Sequence, residues 1–214
     1  IKDGLPNSNL GKMGLAISPF DSTILYAAVE TDRRNGAVYK TTNSGGSWLK
    51  MSDTVSGATG PHYYQELVAS PHVFDKIYLM DTKVQVSENG GKDFYIMNES
   101  DKHVDNHSLT FKMSDPNYLL IGTDGGVYES FDDTNTWKFV ANLPLTQFYK
   151  LAVDDSYPFY NVYGGTQDNN TQGGPSGTFK SDGISNSDWY VVLGGDGHQP
   201  ATEPGNPNII YSQS

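Results

Sequence analysis

Four short stretches of the chain gather aromatic, amide and acidic or imidazole side chains, and each stands just ahead of an apolar run that reads as a β-strand. They are His62-Tyr63-Tyr64-Gln65, Asp105-Asn106-His107, Gln147-Phe148-Tyr149 and Asp196-Gly197-His198-Gln199, and three of the five histidines fall within them. Aromatic faces stack on the CH face of a sugar ring, while amides and carboxylates pair with its hydroxyls. Glycosidic bond hydrolysis needs two carboxyl groups, one protonated and one ionised, and Asp105 and Asp196 are the pair these stretches offer. The same side chains serve equally well as water-bound lining of a channel. His62, Asp105, His107 and His198 lack the short-range ligand spacing of a metal site, so no metal or cofactor is expected.

The elements that must position these groups are written in a repeat. Thr41-x-Asn43-x-Gly45-x-Ser47-Trp48, Ser87-x-Asn89-x-Gly91-x-Asp93-Phe94 and Ser130-x-Asp132-x-Thr134-x-Thr136-Trp137 are three copies of one octet. Its acid or amide bonds the backbone of a tight turn, its glycine takes positive φ, and its aromatic packs between sheets. Upstream of each octet lie short β-branched and aromatic runs, broken by Pro19, Pro71 and Pro116. Tyr26 and Tyr78 follow the first two prolines at the same interval, as Tyr211 follows Pro204. No run has helical periodicity.

A unit of roughly 45 residues built this way is a propeller blade. The fold class expected is therefore all-β: a partial β-propeller of about four and a half four-stranded antiparallel blades. The blades fall at about 9–58, 59–104, 105–145 and 146–195, with a half blade at 196–214. In the fourth, Thr178–Ser181 is expected as the third strand. Residues ahead of each innermost strand converge on the channel mouth. That places His62, Tyr63, Tyr64, Gln65, His107, Gln147, Tyr149, His198 and Gln199 as ligand-binding groups.

Composition narrows the partners. The 214 residues carry a formal net charge of −11, which repels phosphate backbones and anionic headgroups, so neither nucleic acid nor a membrane surface is expected as partner. There is no cysteine, which excludes thiolate chemistry. No apolar run approaches the ~20 residues of a membrane span. The sequence opens on Ile1, with neither Met nor signal peptide, and breaks off part-way through a fifth unit, so a processed or excised segment is expected. A segment of a larger propeller is the expectation, with the remainder of the ring, in the same polypeptide or another chain, as a further partner.

The octets, the proline-to-tyrosine spacing, and the phrases Gly122-Thr123-Asp124-Gly125-Gly126-Val127-Tyr128 and Gly164-Gly165-Thr166-Gln167-Asp168-Asn169-Asn170 together resemble the BNR/Asp-box repeat propellers. Sortilin-type ectodomains and the two-propeller xyloglucan-degrading glycoside hydrolases are the related groups. The resemblance covers nearly the whole chain. In the xyloglucan-degrading enzymes a catalytic carboxylate lies in a Thr-Asp-(Ile/Val)-Gly-Gly-x-Tyr segment. This implies a catalytic role for Asp124, although Thr123-Asp124-Gly125-Gly126-Val127-Tyr128 lacks the apolar residue after the aspartate. Asp-Gly is also a favoured hairpin turn without any function. The resemblance implies a secreted or cell-surface, glycan-processing protein, with Asp124, Asp105 and Asp196 as candidate carboxylates. The alternative it leaves open is a non-catalytic, sortilin-like propeller that binds a protein or peptide.

Overall fold

The computed structural model describes residues 3–32, 35–57, 64–143 and 145–214. His62 and Tyr63 lie outside the described residues.

The described chain is built of antiparallel sheets. The first comprises β1 (Leu10–Ile17), β2 (Leu25–Thr31), β3 (Asn35–Thr41) and β4 (Leu49–Ser52). The second comprises β5 (Leu67–Ala69), β6 (Ile77–Leu79), β7 (Gln85–Ser87) and β8 (Tyr95–Ile96). The third comprises β9 (Asn106–Phe111), β10 (Leu119–Thr123), β11 (Gly126–Ser130) and β12 (Lys138–Phe139). The fourth comprises β13 (Lys150–Val153), β14 (Asn161–Gly165), β15 (Thr171–Pro175) and β16 (Tyr190–Leu193). A two-stranded sheet of β17 (Ala201–Glu203) and β18 (Asn206–Tyr211) follows. In every four-stranded sheet the spatial order is the chain order, so each strand pairs with its sequence neighbours. The chain divides into two compact units, Ile1–Ala141 and Asn142–Ser214.

The first hairpin of each four-stranded sheet closes in the same way. Ser18 N–H donates to Ile24 O at 2.9 Å, Ser70 N–H to Lys76 O at 2.9 Å, Lys112 N–H to Tyr118 O at 3.2 Å and Asp154 N–H to Asn161 O at 3.2 Å. The prolines stand inside these loops, where a missing N–H costs no ladder bond.

Within the first unit the sheets pack face to face through two apolar layers. Tyr26, Ala28 and Val38 meet Ile77 and Leu79 between the first two sheets. Tyr78, Met80 and Val86 meet Leu109, Leu119, Ile121 and Trp137 between the second and third. On the other face of the first sheet, Val29 and Tyr39 lie under Leu5, Leu10 and Trp48. Polar bonds cross the same seams: the Lys40 ammonium reaches both oxygens of Asp75 at 2.7 and 2.6 Å, and Lys76 reaches Asp133 at 3.1 Å.

All three octets form the same closed turn. The first hydroxyl accepts from the backbone N–H four residues on: Gly45 to Thr41 at 3.1 Å, Gly91 to Ser87 at 2.9 Å and Thr134 to Ser130 at 3.0 Å. The amide or acid then accepts a second backbone N–H: Ser47 to Asn43 at 2.9 Å, Asp93 to Asn89 at 3.0 Å and Thr136 to Asp132 at 2.8 Å. The fifth position takes positive φ in each, at +82° for Gly45, +95° for Gly91 and +73° for Thr134. Trp137 ends the third turn with its ring buried and its Nε1–H bonded to Asn98 O at 2.9 Å.

The fourth sheet departs from expectation. Its third strand is Thr171–Pro175, not Thr178–Ser181, which lies in a turn region. Gly173 and Gly174 hide this strand from any propensity argument, because glycine weakens strands. Here they are required by packing: an added Cβ would lie 2.8 Å from the Tyr163 ring at Gly173, and 2.5 Å from the Trp189 ring at Gly174.

Candidate functional site

Antiparallel order brings the turn between the second and third strands of a sheet to the end at which its first strand begins. In the third sheet, Thr123 at the end of β10 pairs with Asn106 at the start of β9. Asp105, just ahead of β9, therefore meets Asp124 in the β10–β11 turn, and Asp124 N–H donates to Asp105 O at 3.1 Å. A carboxylate oxygen of each residue lies within 4.8 Å of the other's.

Two rings frame the pair. The Tyr64 hydroxyl donates to Asp105 Oδ1 at 2.6 Å, and His107 Nε2 lies 2.8 Å from Asp124 Oδ1. The two rings stack on each other, with centroids 5.3 Å apart and planes 24° from parallel. Burial, reinforced by the Asp105 carboxylate, raises the Tyr64 pKa well above the ordinary phenol value, so Tyr64 stays a neutral donor. Asp105 itself has φ of +62°, a conformation that aspartate tolerates better than most residues.

The segment beneath is held by a buried cation. Lys102 pairs with Glu99, donates to Asn106 Oδ1 at 2.6 Å and His103 O at 3.1 Å, and lies 5.8 Å from the Trp137 ring centroid. Burial lowers its pKa while Glu99 works against that shift. Asn106, fully buried, turns its amide to Asp81 O and Thr82 O at 3.2 and 3.0 Å, and Asp105 N–H donates to Thr82 O at 2.9 Å. The carboxylate pair thus stands on a backbone fixed from both sides.

The second unit gathers a cluster of its own. Tyr149 bonds the side chain of Gln167 and meets the His198 ring edge-on at 5.6 Å. Asp168 N–H donates to Asp196 Oδ1 at 3.1 Å. Phe148 stacks on Trp189 at 6.2 Å, while Gln147 and Gln199 are solvent-exposed.

Of the expected site residues, Tyr64, Asp105, His107 and Asp124 come together in the first unit, and Tyr149, Asp196 and His198 in the second. Gln65 does not reach the surface. It is 1% exposed at φ +89°, and neither amide atom has a hydrogen-bond partner among the described residues. Its backbone is drawn against β1, where Gly14 leaves room: a Cβ there would lie 1.8 Å from Gln65 O. Thr82 escaped sequence reasoning, and Gln167 and Asp168 entered it only as part of the Gly164–Asn170 turn, because ligand-binding groups were sought ahead of first strands. The signal for them was the equivalent turn between second and third strands, at the same end of each sheet.

The backbone is similar to that of a GH74 enzyme from Niastella koreensis, with a TM-score of 0.50 and 14% identity over 93% of this chain and 33% of that one. These sheets are blades of a β-propeller. A GH74 xyloglucanase from Xanthomonas campestris matches at a TM-score of 0.47 and 15% identity, over 92% of this chain and 34% of the enzyme. YCF48 from Cyanidioschyzon merolae matches at 0.45 and 14%, over 97% of this chain and 65% of that one. The chain spans about a third of the length of the GH74 enzymes it matches. No protein-family model matches the sequence, and no curated protein matches it significantly. In blade terms, Asp105 and Asp124 lie at the end of the third blade where its first strand begins.

Proposed function

We propose that the chain is a secreted BNR/Asp-box repeat propeller of the glycoside-hydrolase type, which binds polysaccharide at the Tyr64, Asp105, His107 and Asp124 cluster and hydrolyses it with the two carboxylates. The carrying observation is the approach of Asp105 and Asp124 within 4.8 Å beside a stacked aromatic pair. Glycoside hydrolysis works with paired carboxyls, and a pair this close is far from the ~6.5–9.5 Å of inverting enzymes and nearest the ~5–5.5 Å of retaining ones. The ring faces suit the apolar side of a sugar, and the acceptors suit its hydroxyls. Xyloglucan is the substrate to try first, on the resemblance of the Thr123–Tyr128 segment. The rest of the ring would be supplied by further blades, in this polypeptide or in another.

One observation favours a second reading, recognition without catalysis. Each carboxylate is already bonded, Asp105 by Tyr64 and Asp124 by His107. Under this reading the cluster holds a protein or peptide segment, as in sortilin-like propellers.

Release of reducing ends from xyloglucan and unsubstituted β-glucans decides between them. Asp105→Asn and Asp124→Asn are each expected to lower the rate by ~10²–10⁴-fold, the usual size of an acid–base contribution. Wild-type rates in both variants, or no hydrolysis by the wild type, would overturn the catalytic reading and leave the binding one.

A further inference from the structure

A cavity opens in the first unit, at the turn between β6 and β7. It has a volume of about 530 Å³, and Thr54, Asp81, Thr82, Lys83, Gln85 and Ile96 line it. This turn is the second blade's counterpart of the one that carries Asp124 in the third.

The polar wall is prearranged. Thr54 Oγ1 donates to Gln85 Oε1 at 2.6 Å, which fixes the amide so that its NH₂ group faces Asp81 Oδ2 at 3.4 Å. Asp81 is buried, and its Oδ1 accepts the Thr82 N–H at 2.7 Å. The remaining lining residues are Lys83, which is solvent-exposed, Asp53, whose carboxylate pairs with Lys50 at 2.5 Å, and Ile96.

The lining mixes hydrogen-bond donors and acceptors with the apolar side chain of Ile96. An anionic ligand would meet two carboxylates there, and a cation would meet Lys83. A neutral ring with several hydroxyls satisfies all of them, since each hydroxyl both donates and accepts. The volume lies within the ~300–1,000 Å³ of small-molecule sites.

Thr82 joins this cavity to the carboxylate pair. Its carbonyl accepts the Asp105 N–H at 2.9 Å and the Asn106 amide at 3.0 Å, so one residue is both cavity wall and support for Asp105. We propose that the cavity is a pyranose subsite, holding a further ring of the glycan that reaches Asp105 and Asp124. The proposal rests on the glycan reading of that site.

The test is calorimetric titration of the intact chain with cellotetraose and with a xyloglucan heptasaccharide, together with NMR mapping. Lys83→Ala and Thr54→Val probe the cavity, and Asp124→Asn probes the carboxylate pair. Lys83 is solvent-exposed, its removal is expected to leave the fold intact, and thermal unfolding checks this for both variants. Each cavity variant is expected to weaken binding by about tenfold, the size of one hydrogen bond to a charged or well-placed group. The Gln85 NH₂ and Ile96 methyl resonances should shift on titration. Unchanged affinity in both cavity variants, with shifts confined to Tyr64 and His107, would overturn the subsite and leave the glycan reading standing. No binding of either oligosaccharide to the wild type would overturn both.

Discussion

Tyr64 and Asp105 lie 41 positions apart in the chain, yet the tyrosine hydroxyl donates to the aspartate at 2.6 Å across the seam between two blades. Tyr64 precedes the first strand of the second blade, and Asp105 precedes that of the third. The bond therefore ties together the two segments that build the candidate site.

Replacing Tyr64 by Phe keeps the ring stacked on His107 and removes only the donor. The carboxylate loses its anchor, and glycan affinity is expected to fall by about tenfold. Tyr64→Leu removes the stacked face as well and should cost more. Titration of both variants with one oligosaccharide checks the order, and equal affinities for the two would show that stacking contributes nothing.

Thr134 stands at φ +73°, where the first two octets have glycine. A β-branched residue in that region is strained by ~1–3 kcal/mol. Thr134→Gly relieves the strain at a small entropic cost and should raise stability by about 1 kcal/mol, read from urea unfolding. A fall in stability would mean that the Thr134 side chain makes a contact worth more than the strain.

Asp154 caps the loop between β13 and β14. Burial works against its charge, but bonds from the Asn161 N–H and side chain, the Ser156 N–H and the Tyr163 hydroxyl outweigh burial, and its pKa lies well below 3.8. A depressed folded-state pKa contributes stability that is present above the unfolded value and lost as pH falls towards the folded one. Asp154→Ala should cost about 3 kcal/mol at neutral pH, with the gap to wild type constant above pH ~5 and closing below pH ~4. Urea unfolding at pH 7, 5 and 3 measures it, and a gap that widened in acid would contradict the assignment.

Gly165 lets two loops of the second unit touch. A Cβ there would lie 2.3 Å from the His198 carbonyl oxygen and 2.5 Å from its nitrogen. Gly165→Ala must push the 194–198 loop away, at a cost of ~1–3 kcal/mol. It should also remove the His198 ring from Tyr149, visible as a change in the His198 ring resonances. An unchanged unfolding midpoint would show that the loop yields freely.

The repeating octets made the turns legible from sequence, because a hydroxyl, an acid or amide and a positive-φ residue at fixed offsets close the turn with bonds inside the octet itself. The paired carboxylates were legible one at a time: Asp105 from its place ahead of a strand, Asp124 from a resemblance. Their meeting was not, because it depends on the pairing of β9 with β10. Nor was the strand Thr171–Pro175, whose glycines carry no local preference and are explained only by the rings of Tyr163 and Trp189.

The chain order of the residues thus determined everything that is local: the turns, the alternation of apolar side chains, the breaks at proline and the four-stranded unit itself. Only the tertiary structure decided which turn meets which strand end, that Gln65 is buried while Tyr64 faces Asp105, and that Thr82 both lines the cavity at the β6–β7 turn and accepts the Asp105 N–H. Local bonds are set by spacing along the chain, whereas contacts across blades depend on how the packed sheets place residues far apart in sequence.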